Sequence, residues 1–224
     1  TQITDTGAAE STPKETDVDL QPVTAELTVA EVPESVNLTE EGDLDWMYVG
    51  AKNRTTVTRK DLDLPLIQYT PQNGRTVDWL KHYWTTFSWS DGNTLPSNDG
   101  TTNAINITTY DYGAGSVPPM SLSFTVEAAP EARTLSLYIG GNKSTLRVEV
   151  VDESTGNVIQ SQEIGTMDSS YYQRVSVAFQ CATKTDLTVR VVRTSEEDPS
   201  SKSGGIYLAA ATLSSKAADI APIR

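Results

Sequence analysis

Apolar residues recur at every second position through most of the second half of this chain. Leu122, Phe124 and Val126 form one such set, and Leu135, Leu137 and Ile139 form the next. The pattern returns with Leu146, Val148 and Val150, with Val175, Val177 and Phe179, and with Leu187, Val189 and Val191. Successive side chains on a strand point to opposite faces, so this alternation predicts half-buried β-strands with one face on a core and one in water. Turn residues separate the runs: Ala129-Pro130-Glu131, Gly140-Gly141-Asn142, Ser154-Thr155-Gly156-Asn157 and Gly204-Gly205. Arg133–Ile139 and Thr145–Val151 are therefore read as two strands joined by a turn. Tyr171-Tyr172 precedes the strand at 174–179. The final run, Ile206–Leu213, is alanine-rich, which suggests a crowded central position against a neighbouring layer.

The first half is less regular. Short strands are predicted at Val36–Thr39, Asp45–Val49, Thr55–Thr58, Leu66–Thr70, Thr85–Ser90 and Ile105–Tyr110. Val77–Trp84 reads as one or two turns of helix, because Val77, Leu80 and Trp84 share a face at spacings of three and four. Crossover helices for a parallel sheet are missing. The predicted fold is therefore all-β, a two-sheet antiparallel β-sandwich of the jelly-roll type over residues 36–214.

Residues 1–35 carry eight Asp or Glu against Lys14 alone and hold no aromatic residue. Such a stretch buries too little apolar surface to offset its chain entropy, and it is read as a disordered acidic linker. A strand at Ala25–Val32, pairing at a sheet edge, is the alternative. Residues 215–224 are read as a C-terminal tail. The chain starts at Thr1 without an apolar signal segment and is expected to be a mature or excised fragment.

The net charge of −13 argues against a nucleic-acid partner and against an anionic membrane surface. No apolar run approaches the roughly 18–20 residues of a membrane helix. A single His and a single Cys exclude most zinc sites, disulfide scaffolds and Cys–His nucleophile pairs. Cys181 is expected to be a buried thiol. No G-x-S-x-G elbow is present, and no pair of carboxylates stands out, so catalysis is not expected. Glu127, Glu149 and Asp152 read as a solvated strand face. A polar, cysteine-poor, acidic chain suits the exterior of a bacterial cell.

Four stretches taken in order carry a resemblance. They are Val36-Asn37-Leu38-Thr39-Glu40-Glu41-Gly42-Asp43-Leu44-Asp45-Trp46 with Gly50 after it, Phe87-Ser88-Trp89-Ser90-Asp91-Gly92, Arg133–Gly141 running on to Val150-Val151-Asp152, and Ile206–Leu213. Together they resemble an accessory β-sandwich module of secreted bacterial surface proteins and glycoside hydrolases. That module is similar in architecture to galactose-binding-domain-like carbohydrate-binding modules. The resemblance implies a non-catalytic extracellular role, with a polysaccharide or glycan and the further domains of a multimodular parent as partners. It implies no cofactor beyond a structural calcium ion, for which Glu41, Asp43 and Asp45 are the local candidates. It identifies no ligand residues, and the stretch Asp61–Trp84 is longer and more aromatic than the pattern.

Candidate ligand residues come from the chemistry of sugars, whose C–H faces stack on flat rings while their hydroxyls reach polar side chains. Trp79, His82, Tyr83 and Trp84 form the densest aromatic cluster, with Asp78 and Lys81 as its polar rim. The cluster serves either as a sugar platform or as a packed cap over the sandwich. Tyr110, Asp111 and Tyr112, followed by Gly113-Ala114-Gly115, form a second candidate on a loop. Trp46 and Trp89 are expected in the core. The rival functions are a spacer or adhesin domain that binds nothing small, and a polysaccharide-degrading enzyme on a jelly roll.

Overall fold

The computed structural model describes residues 22–71, 76–108, 119–195 and 204–216. These hold fourteen strands and one single-turn helix. The strands are β1 (Thr24–Glu31), β2 (Ser35–Asn37), β3 (Asp45–Val49), β4 (Val57–Arg59), β5 (Gln68–Pro71), β6 (Thr76–Leu80) and β7 (Thr86–Trp89). They continue with β8 (Asn98–Thr101), β9 (Ala104–Thr108), β10 (Ser121–Ala128), β11 (Arg133–Asp152), β12 (Asn157–Gln180), β13 (Thr185–Arg193) and β14 (Ile206–Ser214). The helix α1 (Leu38–Glu41) is capped by Asn37, whose side chain accepts from the Thr39 N–H. The fold is all-β, as the periodicity predicts.

Two long strands organise the large sheet. β11 pairs with β12 along nearly its whole length. On its other side, β11 pairs first with β14 and then with β13. The sheet therefore divides into two limbs, β14-β3-β4 and β13-β10-β5. It curls so that the limbs share one core, which holds Met47 and Leu213 from the first and Phe124 and Val189 from the second. The alternation in β10 is complete: every second side chain, from Leu122 to Ala128, is buried.

The Gly140-Gly141-Asn142 stretch is not a turn. The chain runs straight through it, with a bulge between Asn142 and Ser144 and Lys143 at a φ of 49°. Here β11 passes from pairing with β14 to pairing with β13, while β12 stays paired with it on the other side. A Cβ on Gly140 would run into the backbone carbonyl of Tyr171. The glycines thus serve a close approach of two strands rather than a chain reversal.

A second layer of packing covers part of the outer face of the first limb. β2, β7 and β8 form a small sheet, in which β2 and β7 run parallel. With α1, this sheet lies over Trp46 and Tyr48 of β3, Tyr138 of β11 and Ala209 and Ala210 of β14. Both faces of β3 and β14 are consequently buried along their full lengths. This explains the alanines of β14: small side chains let the small sheet sit close.

Three further expectations need correction. The ordered body begins before residue 36, because Thr24–Glu31 pairs with β12 in register from Thr24↔Gln180 to Glu31↔Gln173. Ala25, Leu27 and Val29 recur at period two and pack against the main core, which suffices at a sheet edge despite the acidic surroundings. Val77–Trp84 is not helical. Its first part is β6, paired with β9 from Thr76↔Thr108 to Leu80↔Ala104. The spacing of Val77, Leu80 and Trp84 came from separate contacts: Val77 packs on the main core, Leu80 on the second, and Trp84 on neither. Glu149 and Asp152 are not a solvated face. Glu149 is clamped by Arg147 and Arg190, at 2.7 and 2.6 Å, and Asp152 accepts from the N–H and hydroxyl of Ser154.

Candidate functional site

The motif residues turn out to be a hydrogen-bonded frame. Asp91 accepts from the Thr39 hydroxyl at 2.6 Å and the Trp46 indole N–H at 2.9 Å, and pairs with Lys60 at 3.1 Å. Burial pushes its carboxyl up, but the hydrogen bonds from Thr39, Trp46 and Lys60 outweigh this and hold it below the ordinary carboxylate value. Glu41 accepts the Tyr138 hydroxyl at 2.7 Å and the Thr212 hydroxyl at 2.9 Å. Burial and the charge of Glu41 keep the Tyr138 phenol protonated far above its usual range. The four motifs are therefore sewn together: the first to the second by Asp91, and the first to the third and fourth by Glu41.

The three carboxylates expected to hold calcium do not converge. Glu41 turns to Tyr138 and Thr212. Asp43 accepts from the N–H of Ser215 at 2.9 Å and from its hydroxyl. Asp45, on the buried strand β3, accepts from the backbone N–H groups of Trp46, Leu66 and Ile67 at 2.8–2.9 Å. Burial still raises the Asp45 carboxyl above its ordinary value. Among the described residues, no group of three or more His, Cys, Asp or Glu is arranged to hold a metal ion. Each of the three acids is directed to a different protein partner.

The aromatic cluster divides. Tyr83 is 2% exposed, and its hydroxyl donates to the Ile139 carbonyl at 2.9 Å. Its ring meets Phe87 and Tyr172, so it offers no face to a ligand and leaves the candidate set. Trp46 and Trp89 are buried with centroids 5.5 Å apart, as expected. His82 is exposed. Trp79 and Trp84 are 43% and 70% exposed. Tyr110, Asp111 and Tyr112 lie outside the described residues.

Trp79 stands at a built site. Among the described residues β6 pairs only with β9, which puts it at an edge of the sheet. Beside it is an open cleft of about 320 Å³ lined by Asn53, Arg54, Asp78 and Trp79. Arg54 Nη1 lies 3.2 Å from Asp78 Oδ1. An exposed pair of this kind adds only about 0–1 kcal/mol of stability, so its main effect is to orient both groups. Asn53 Oδ1 accepts from the N–H groups of Thr55 and Thr56, which fixes the loop and leaves the amide nitrogen as the donor of this side chain. The cleft thus sets a half-exposed indole beside a guanidinium, a carboxylate and an amide, an apolar surface with hydrogen-bonding groups next to it.

Arg54 and Asn53 were not legible as site residues, being 24 and 25 positions before Asp78. The connection is Gly50. It has a φ of 90°, and a Cβ there would sit 3.0 Å from the backbone of Ala104, the β9 partner of Leu80. The glycine that closes the first motif thus lets loop 51–56 turn tightly against β9 and reach the edge strand.

No family profile matches the sequence, and no curated protein matches it at a significant level. Several solved structures are similar in shape. The cleaved adhesin domain of Lys-gingipain from Porphyromonas gingivalis aligns at 12% identity and a TM-score of 0.36, over 67% of this chain and 99% of its own. A Clostridium thermocellum endo-1,4-beta-D-xylanase, its CBM22-1 and GH10 modules complexed with xylohexaose, aligns at 11% identity and a TM-score of 0.35 over 66% of this chain. An arabinose-bound GH51 α-L-arabinofuranosidase aligns at 12% identity and a TM-score of 0.37 over 85% of this chain. This chain spans only 26% and 31% of the last two. At such TM-scores the likeness fixes neither family nor ligand, and the site rests on its own geometry.

Proposed function

We propose that this chain is a non-catalytic glycan-binding module that works outside the cell as an accessory to other domains. The observation that carries the reading is the half-exposed indole of Trp79 beside the Arg54–Asp78 pair in an open cleft. A ring of the ligand stacks on the indole. Its hydroxyls accept from Arg54 and Asn53 and donate to Asp78. One such ring-and-rim contact gives weak binding, about millimolar to micromolar, or roughly −4 to −8 kcal/mol. Repetition along a polysaccharide, or a second binding domain in the parent, raises the effective affinity.

The composition of the cleft supports a binder over an enzyme. Asp78 is its one carboxylate among the described lining residues, and Arg54 neutralises it. Glycosidases place two carboxyl groups across the scissile bond, about 5–9.5 Å apart. The motif resemblance to galactose-binding-domain-like accessory modules supports the same reading. A spacer domain is the second reading, favoured by the structural employment of Asp91, Glu41 and Trp46, which are taken up in the frame.

Affinity electrophoresis through gels containing a panel of plant and bacterial polysaccharides tests this. At least one polysaccharide is expected to retard the wild-type chain, with the retardation lost in Trp79→Ala and reduced in Arg54→Ala. A wild type that runs unretarded on every polysaccharide would leave the spacer reading.

A further inference from the structure

The small sheet covers only part of the outer face of the first limb. Where it stops, at α1, the face steps down into a second cleft of about 310 Å³. This lies at the small end of ligand pockets, which run about 300–1,000 Å³. Its floor is made by side chains from three adjacent strands: Ser176 of β12, Thr134 and Ser136 of β11, and Ser214 of β14. Ser136 stands opposite Ser176, and Thr134 opposite Ser214.

These four residues are unusual for their position. They line an open cleft walled by β2 and α1, yet they are only 4–8% exposed. An uncovered sheet face ordinarily carries long polar side chains, and a covered one carries apolar side chains. Here small hydroxyls lie recessed beneath a rim. α1 raises one wall through Glu40 and Glu41, and Arg174 and Lys216 also line the cleft. Two acids thus meet two bases. Among the described lining residues there is no aromatic ring.

Hydroxyls suit a partner that both donates and accepts, since each carries one proton and two lone pairs. Ser136 and Ser176 share one hydrogen bond at 3.0 Å, which uses one of their two protons. Thr134 donates to the Lys216 carbonyl and Ser214 accepts the Lys216 N–H, which holds Lys216 at the rim. The balanced rim gives no net attraction to an anion, and the chain's net charge of −13 repels one. We infer that this cleft is a second binding site, which takes a single neutral sugar residue through hydrogen bonds to Ser136, Ser176 and Ser214, without aromatic stacking.

The site is separate from the Trp79 cleft. β6 connects to β14 through β9 at positions 206–208, whereas the hydroxyl floor meets β14 at Ser214. The two places stand six to eight positions apart along β14, about 20 Å or more. The inference therefore does not depend on the role given to Trp79.

Amide chemical-shift titration of the full chain decides it. The probes are glucose, galactose, xylose and arabinose, with galacturonate and inorganic phosphate as anions. At least one neutral sugar is expected to give saturable shifts at Ser136, Ser176 and Ser214. The dissociation constant should rise at least tenfold in Ser176→Leu, which fills the floor, and severalfold in Glu40→Ala, whose exposed side chain the fold does not need. Trp79→Ala should leave these shifts unchanged. The inference is overturned if no neutral sugar produces saturable shifts at the floor. It is equally overturned if galacturonate or phosphate binds there more tightly than every neutral sugar, if Glu40→Ala binds as the wild type does, or if Trp79→Ala abolishes the shifts.

Discussion

The Asp91 carboxylate accepts the indole N–H of Trp46 at 2.9 Å, joining residues 45 positions apart. Trp46 is fully buried, and the same oxygen also takes the Thr39 hydroxyl. Asp91→Ala would strand a buried N–H with no acceptor. Hydrogen bonds to charged groups contribute about 1.5–3 kcal/mol, so a loss of that size is expected in urea unfolding. A loss under about 0.5 kcal/mol would mean that the frame does not hold the small sheet.

Acid should loosen the same frame. Asp91 is held below its ordinary value of 3.8, and Arg190 and Arg147 overcome burial to hold Glu149 below 4.5. A carboxyl with a depressed folded value takes up its proton more readily when unfolded. Its contribution is complete above the ordinary value and is lost as the pH falls through the folded one. Asp45, raised by burial, acts in the opposite sense: its contribution is lost as the pH rises through its folded value. The thermal midpoint is expected to fall below about pH 4. In Asp91→Asn the decline should be shallower. Parallel acid limbs in the two proteins would refute this role.

Trp79 and Tyr83 should behave oppositely although four residues apart. Trp79→Ala is expected to keep the melting temperature and weaken glycan binding by about tenfold or more, equivalent to about 1.4 kcal/mol. Tyr83→Ala removes a buried ring and should cost about 3–5 kcal/mol of stability. Acrylamide quenching gives an independent check: Trp79 and Trp84 should form an accessible population, and Trp46 and Trp89 a protected one. A single protected population would place the Trp79 face out of a ligand's reach.

Gly140→Ala should be destabilising in spite of its conservative size. The added methyl meets the Tyr171 carbonyl of the paired strand β12. Overpacking of this kind costs about 1–3 kcal/mol, readable as a lower urea midpoint. Gly156→Ala is the contrast: a Cβ there meets no atom, so only its φ of 71° opposes the change. Equal losses at the two sites would show that backbone conformation, not the close approach of β12, sets the requirement at Gly140.

The sequence alone determined the strands that alternate with one face buried. Alternation in 121–126, 174–179 and 185–191 is a local property of the chain, and each run became a strand with the expected face inward. It also placed Trp46 and Trp89 in the core and marked β14 as crowded. Tertiary structure decided what sequence spacing cannot carry. The second core buries the other face of β3 and β14, so their patterns do not alternate. In β6, contacts to two different cores mimicked a helical period. Glu41, Asp43 and Asp45 look like one cation site in a string of letters, yet α1 and β3 aim them at three separate partners. The cleft beside Trp79 has the same origin. Arg54 reaches Asp78 only because a glycine turn folds one loop back on an edge strand, and such a meeting depends on distances in space rather than on order along the chain.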